Sequence, residues 1–170
     1  LPRSVTYSSE GHIWTGTSGK GLIRSRNPFD NDQYLIPGPV STKAFGLNYS
    51  FDEIYVSGGG NSDIQVRTNT RAEVSKFDGT TWTLFSEATI NEFDSIEDIL
   101  NTSFNPLIPT EFAAASMNNG LIICDNASVK IIYDVNNSPL ESLGGSGATF
   151  VTGVQYDANG NLWISNSIAN

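Results

Sequence analysis

Apolar and polar residues alternate along this chain in short runs broken by Gly, Asn, Asp and Ser, the period-two pattern of half-buried β-strands. The clearest instance is VTGVQYDANGNLWISN at residues 151–166. Val151, Val154 and Tyr156 mark one strand and LWIS at 162–165 a second. The Asn and Gly residues of the intervening DANGN supply the positive-φ positions of a tight turn. The design recurs near the N-terminus: VTY at 5–7, a turn ending in Gly11, then HIWTGT at 12–17. Trp14 and Trp163 take the same place in the two copies. FDEIYVSG at 51–58 puts Tyr55 in that slot, and NNGLIIC at 118–124 puts Ile122 there. The four positions lie 41, 67 and 41 residues apart. A four-stranded propeller blade repeats about every 40–50 residues, and the long interval fits a blade with an insertion of about 25. The pattern predicts an all-β fold, a partial β-propeller of about three and a half four-stranded blades.

In chain order the blades are expected at 3–37, 43–86, 111–143 and 151–170. Strands of the first are expected at 5–7, 13–17, 22–24 and 34–36, with a turn at 27–31. PGP at 37–39 passes the chain onward, since proline cannot continue a central strand. The second blade begins near AFGL at 44–47, continues through 54–57 and enters a long mobile loop from Gly58 to Arg71. VSKF, the Asp78-Gly79 turn and TTWTLF complete it; Asp-Gly between alternating strands is a strong hairpin signal. Residues 88–108 break the alternation. Phe93, Ile96, Ile99 and Leu100 recur at helical spacing, and Ser95 followed by Asp98 is a weak capping signal, so a short helix is expected over 91–101. Asn105-Pro106 and Ile108-Pro109 end that excursion, and FAAA at 112–115 opens the third blade, which continues through 121–124 and 129–134. Two strands of the last repeat are evident. Propellers remove their edges by closing, so further blades are expected from a longer parent chain or a partner chain; the opening LPR also reads as the interior of a longer or processed protein.

With 170 residues, 38% hydrophobic and 16% charged, the chain has the composition of a soluble globular protein that buries a core. No apolar run approaches a membrane span, so direct membrane insertion is not expected. The net charge of −9 argues against nucleic acid and anionic membrane surfaces, which both select a basic patch. Cys124, the single cysteine, sits in the apolar run LIIC and reads as a buried small hydrophobe.

VSKFDGTTWTLF at 74–85, NSPL at 137–140 and DANGNLWI at 157–164 resemble two-component-regulator propeller repeats, and GTSGKGLIR at 16–24 is similar to the segment after the Trp strand of that repeat. The order of Asn105-Pro106, SMNNGL at 116–121, NSPL and the Asn-Leu-Trp strand resembles, more narrowly, the propeller part of PorZ-like proteins of the type IX secretion system. The looser resemblance covers nearly the whole chain and the narrower one residues 74–166. It implies an extracytoplasmic bacterial module, in the periplasm or on the outer-membrane surface, that scaffolds a protein partner or recognises a surface glycan or lipopolysaccharide. The same repeats also form periplasmic glycan-sensing regions of hybrid two-component regulators, the alternative reading. The resemblance assigns no binding residue.

The chemistry-bearing residues support no enzyme, metal or cofactor assignment. Asp157, Asn159 and Asn161 open like an EF-hand loop, but Leu162 and Ile168 stand where that loop needs Gly and Glu. His12, the only histidine, precedes a strand after a Gly turn and reads as a surface strand end; without a second histidine, triad, zinc and lyase chemistry lack their usual parts. TSGK at 17–20 lacks the flanking Gly and Ser/Thr of a phosphate loop, and GGSG at 144–147 lacks a strand-to-helix context. The pairs Glu97/Asp98 and Asp52/Glu53 are read as solvated carboxylates of a helix and a turn rather than a glycosidase pair, which leaves a polysaccharide lyase or hydrolase as the third and weakest reading. Trp14, Trp82 and Trp163, at repeating positions, are expected to pack between blades rather than stack on sugars. A buried Trp163 would make Trp163→Ala cost about 3–5 kcal/mol. A binding or scaffolding propeller is the expectation that results.

Overall fold

The computed structural model describes residues 2–17, 21–34, 38–60, 67–126, 128–142, 144 and 147–167. The chain divides into two compact units, Leu1–Gly38 and Pro39–Asn170. The fold is all-β: three four-stranded antiparallel sheets and one two-stranded sheet, each a meander in chain order, as partial propeller blades require.

The first unit is one sheet, β1 (Pro2–Tyr7), β2 (Ile13–Thr17), β3 (Gly21–Asn27) and β4 (Asp30–Tyr34). The fourth strand was expected at 34–36 and instead ends at Tyr34; residues 35–37 lie outside the described part. The turn expected at 27–31 is correspondingly tighter. DNDQY carries no apolar alternation, and its pairing rests on charge: Arg24 meets Asp32 at 2.5 Å, and Arg26 meets Asp30 at 2.7 Å and Asp32 at 2.5 Å. None of the described residues 2–34 is fully buried.

The second unit holds the core. Its first sheet is β5 (Gly46–Ser50), β6 (Glu53–Ser57), β7 (Val74–Phe77) and β8 (Trp82–Phe85); the next is β9 (Ile99–Phe104), β10 (Glu111–Ser116), β11 (Gly120–Asp125) and β12 (Ser128–Tyr133); β13 (Val151–Tyr156) and β14 (Leu162–Asn166) form the last. The helix expected over 91–101 contracts to a 3-10 helix, Asn91–Ser95, and Ile99–Leu100 start a strand. Ile99 and Leu100 are both buried because a blade is covered on two faces, and two-sided burial after a short turn imitates helical spacing. The third blade therefore begins at Ile99, and Asn105-Pro106 belongs to its first hairpin rather than to the end of an excursion.

Alternation along β10 and β11 sends side chains to two separate cores. Phe112, Ala114, Ile122 and Cys124 join Tyr55, Val74, Phe93, Ile96, Ile99 and Phe104 against the second blade. Ala113, Ala115, Leu121 and Ile123 join Leu140, Val151, Val154 and Tyr156 against the last hairpin. Burial drives the Cys124 thiol up to about 12, so it packs as an inert hydrophobe. Neighbouring blades also touch along their first strands, Asn48 Nδ2 donating to the Thr102 carbonyl at 2.7 Å and the Tyr156 N–H to Ser103 Oγ at 2.8 Å, and Ser57 Oγ at the end of β6 donates to the Leu100 carbonyl at 2.8 Å. A Cβ at Gly46 would lie 2.3 Å from the Leu100 carbonyl oxygen, so only glycine admits this approach.

Trp14, Tyr55 and Trp163 fall on the second strands of their sheets, β2, β6 and β14, whereas Ile122 falls on β11, the third strand of its own. Tyr55 faces forward, its ring centroid 3.6 Å from that of Phe104, whereas Ile122 faces back into the same core. The second strand of the third blade is β10, so the counterpart of Tyr55 there is Ala113 or Ala115, which face the last hairpin as Tyr55 faces the third blade.

Candidate functional site

In a four-stranded meander the second-to-third connection and the link to the next blade share one end. In the second unit this gathers the β6–β7, β8–β9, β10–β11 and β12–β13 connections. A cavity of about 750 Å³ opens there, lined by Arg67, Asn118, Asn119, Asp134, Thr149 and Phe150 among others.

The floor beneath it is an ionic knot. Asp98 is fully buried, with φ of 53°, and its carboxylate accepts the N–H groups of Thr70 at 2.7 Å and Asn69 at 3.2 Å. Arg67 Nη2 donates to Glu97 Oε2 at 2.6 Å and Arg67 Nε stands 3.5 Å from Asp98 Oδ2. From the third blade, Asn119 Oδ1 accepts the Glu97 N–H at 3.1 Å, while Ser116 Oγ donates to the Glu97 carbonyl at 2.7 Å. The pair read as solvated carboxylates thus anchors two blades. The expected mobile loop from Gly58 to Arg71 is pinned at both described ends: Gly59 N–H donates to the Ile99 carbonyl at 2.9 Å and Asp98 N–H to the Thr70 carbonyl at 2.7 Å. Residues 61–66 lie outside the described part. The signal that could have found the knot is the aspartate itself, since Asp adopts left-handed φ more readily than most residues and bonds neighbouring N–H groups.

Chemically the cavity offers amides, a hydroxyl, a ring edge and a guanidinium already compensated by two carboxylates. That set suits a neutral polar partner better than an anion.

The remaining candidates stand apart. His12 belongs to the first unit, in the β1–β2 turn, its Nδ1 3.6 Å from Glu10 and its N–H donating to Ser8 Oγ at 3.2 Å. Asp157 turns its carboxylate inward on the hairpin, accepting the N–H groups of Asn159 and Asn161 and the Asn161 side chain, each at 2.9 Å. Led by the Asn161 side-chain bond, these hold its pKa down at about 2 and occupy the oxygens a calcium ion would use. Asp52, in the β5–β6 turn with φ of 60°, accepts the Tyr49 hydroxyl at 2.6 Å, and Glu53 pairs with Lys76 at 2.7 Å. Part of the TSGK segment, 18–20, and part of GGSG, 145–146, lie outside the described residues. Trp14 is half-buried against Tyr34 and Trp82 stacks on Phe77 with centroids 4.9 Å apart. Trp163 corrects the packing expectation: it is 67% exposed, because its face of the last sheet is the one turned away from the third blade.

No family model and no curated protein matches the sequence. Among solved structures the chain is similar to PorZ of Porphyromonas gingivalis, an essential bacterial surface component of the type-IX secretion system, with a TM-score of 0.64 and 17% identity over 97% of this chain and 23% of that one. The extracellular domain of BT4673 from B. thetaiotaomicron, a candidate one-component system, aligns over 96% of this chain and 22% of that chain, with a TM-score of 0.42 and 16% identity. The chain spans about a quarter of the length of either.

Proposed function

We propose that this chain is a non-enzymatic binding and scaffolding propeller module of an extracytoplasmic bacterial protein, a PorZ-like component of type IX secretion and surface attachment. The observation that carries the reading is the structural match of 97% of the chain to PorZ, with a TM-score of 0.64. The polar cavity above Asp98 is its proposed contact point for a protein or a neutral stretch of glycan. Its local charge, with Glu97, Asp98 and Asp134 against Arg67, disfavours a polyanionic stretch. The test is fractionation of cells making the full-length parent, with protease added outside. Recovery at the outer-membrane face together with sorting machinery is the expected result. Inner-membrane anchorage would overturn it in favour of periplasmic sensing, and turnover of a polysaccharide lost on a single carboxylate change would revive an enzyme.

A further inference from the structure

The cavity above Asp98 is unbalanced in charge. Arg67 on its wall is already engaged by Glu97 at 2.6 Å and Asp98 at 3.5 Å, so two carboxylates share one guanidinium. Asp134, from the β12–β13 connection, accepts the Asn136 N–H at 2.8 Å and the Asn136 side chain at 3.2 Å, both neutral donors. No ion pair among the described residues reaches it. The second unit has no cation in reserve. Residues 39–170 contain fifteen acidic and five basic residues. All five bases stand beside carboxylates: Lys43 with Glu73 at 3.4 Å, Arg67 as above, Arg71 with Glu87 and Asp94, Lys76 with Glu53 at 2.7 Å and Lys130 with Glu111 at 3.0 Å. The cavity also has an apolar side. Ile132 and Phe150, both half-buried, line it together with Asn118 and Asn119.

We infer that this cavity takes the Lys or Arg side chain of a protein loop, its charged end at Asp134 in the field of Glu97 and Asp98. The inference rests on the reading of the chain as a binding module and, of the partners named there, selects the protein. Charge complementarity calls for a cation, because one guanidinium stands against three carboxylates. The apolar side calls for a stem: Lys and Arg lay their methylenes along apolar surface while the charged head reaches a polar group, and the Phe150 ring face adds to the attraction. An amino sugar carries its charge on a ring edged with hydroxyls, for which Ile132 has no hydrogen-bonding group.

The isotope-labelled full chain is titrated with N-acetyl-argininamide, with its neutral isostere N-acetyl-citrullinamide and with glucosamine, and the side-chain amide signals of Asn118 and Asn119 are followed by NMR. The expected result is a saturable shift of those signals by the arginine probe and roughly tenfold weaker binding of the citrulline probe. Asp134→Asn, whose carbonyl still accepts from the Asn136 N–H, should abolish that preference. Asp52→Asn, the same change of charge at the β5–β6 turn, should leave it intact. Equal binding of the arginine and citrulline probes, a preference that survives Asp134→Asn, tighter binding of glucosamine than of the arginine probe, or a shift by no probe would overturn the inference. None of these outcomes bears on where the parent protein resides, which fractionation decides, so the inference and the reading beneath it fail separately.

Discussion

Asp98 and Trp163 show how far a side chain's surroundings depart from its type. Asp98 is a carboxylate with no exposed surface, and Trp163 a large ring with two-thirds of its surface in water. Removing the first strips partners from two backbone N–H groups and from Arg67, so Asp98→Ala should lower unfolding stability by roughly 3 kcal/mol in urea titrations. Asp98→Asn should cost less, since Asn tolerates the left-handed φ and its carbonyl still accepts from Thr70. Trp163→Ala, by contrast, should change stability by no more than about 0.5 kcal/mol in the same assay, in place of the large cost of a buried ring. Asp157 sets an acid limit on its hairpin. Its folded pKa of about 2 lies below the ordinary 3.8, so the stabilisation is fully present above about pH 4 and is lost as pH falls through about 2. Carboxyl chemical shifts of Asp157, followed with Trp163 emission, should titrate together in that window.

At the level of strands and turns, legibility followed the source of the order. Hairpins built on alternation and Gly turns, such as β13–β14 and β7–β8, stand in the sequence with nearly their observed bounds. β4 did not, because ion pairs rather than apolar residues hold it, and β9 did not, because two-sided burial erases alternation. The β5–β6 turn was legible from its Asp52/Glu53 pair, although Phe51 and Asp52 both take positive φ without a glycine to announce it. The candidate site was the least legible of all, since its residues come from connections far apart in sequence that only the meander brings to one end. The alanines of β10 carry an element-scale prediction. With Ala113 and Ala114 fully buried on opposite faces, Ala114→Leu should destabilise by about 1–3 kcal/mol through overpacking, and Gly46→Ala by a similar amount through collision with the Leu100 carbonyl. Thermal unfolding of each variant checks both.

The molecule as a whole is unequal in its parts. Both hydrophobic clusters are drawn from the second unit, and the described residues of the first contain no buried side chain. A fragment of residues 39–170 should therefore unfold cooperatively with the near-ultraviolet dichroism of its aromatic core, while residues 1–38 alone should give no cooperative transition. Within the second unit, the surfaces between neighbouring sheets are furnished unevenly. Gly46, Thr102 and Ser103 stand where first strand meets first strand, with Ser57 beside them, and Phe85, Phe112, Val129 and Ile132 stand farther out. Small groups on one side and bulky ones on the other give each gap the shape of a keystone. The angle through which one sheet turns from the last is then a property of side-chain volume, and the number of stones that would complete such an arch is written in the sizes of a few residues near its axis.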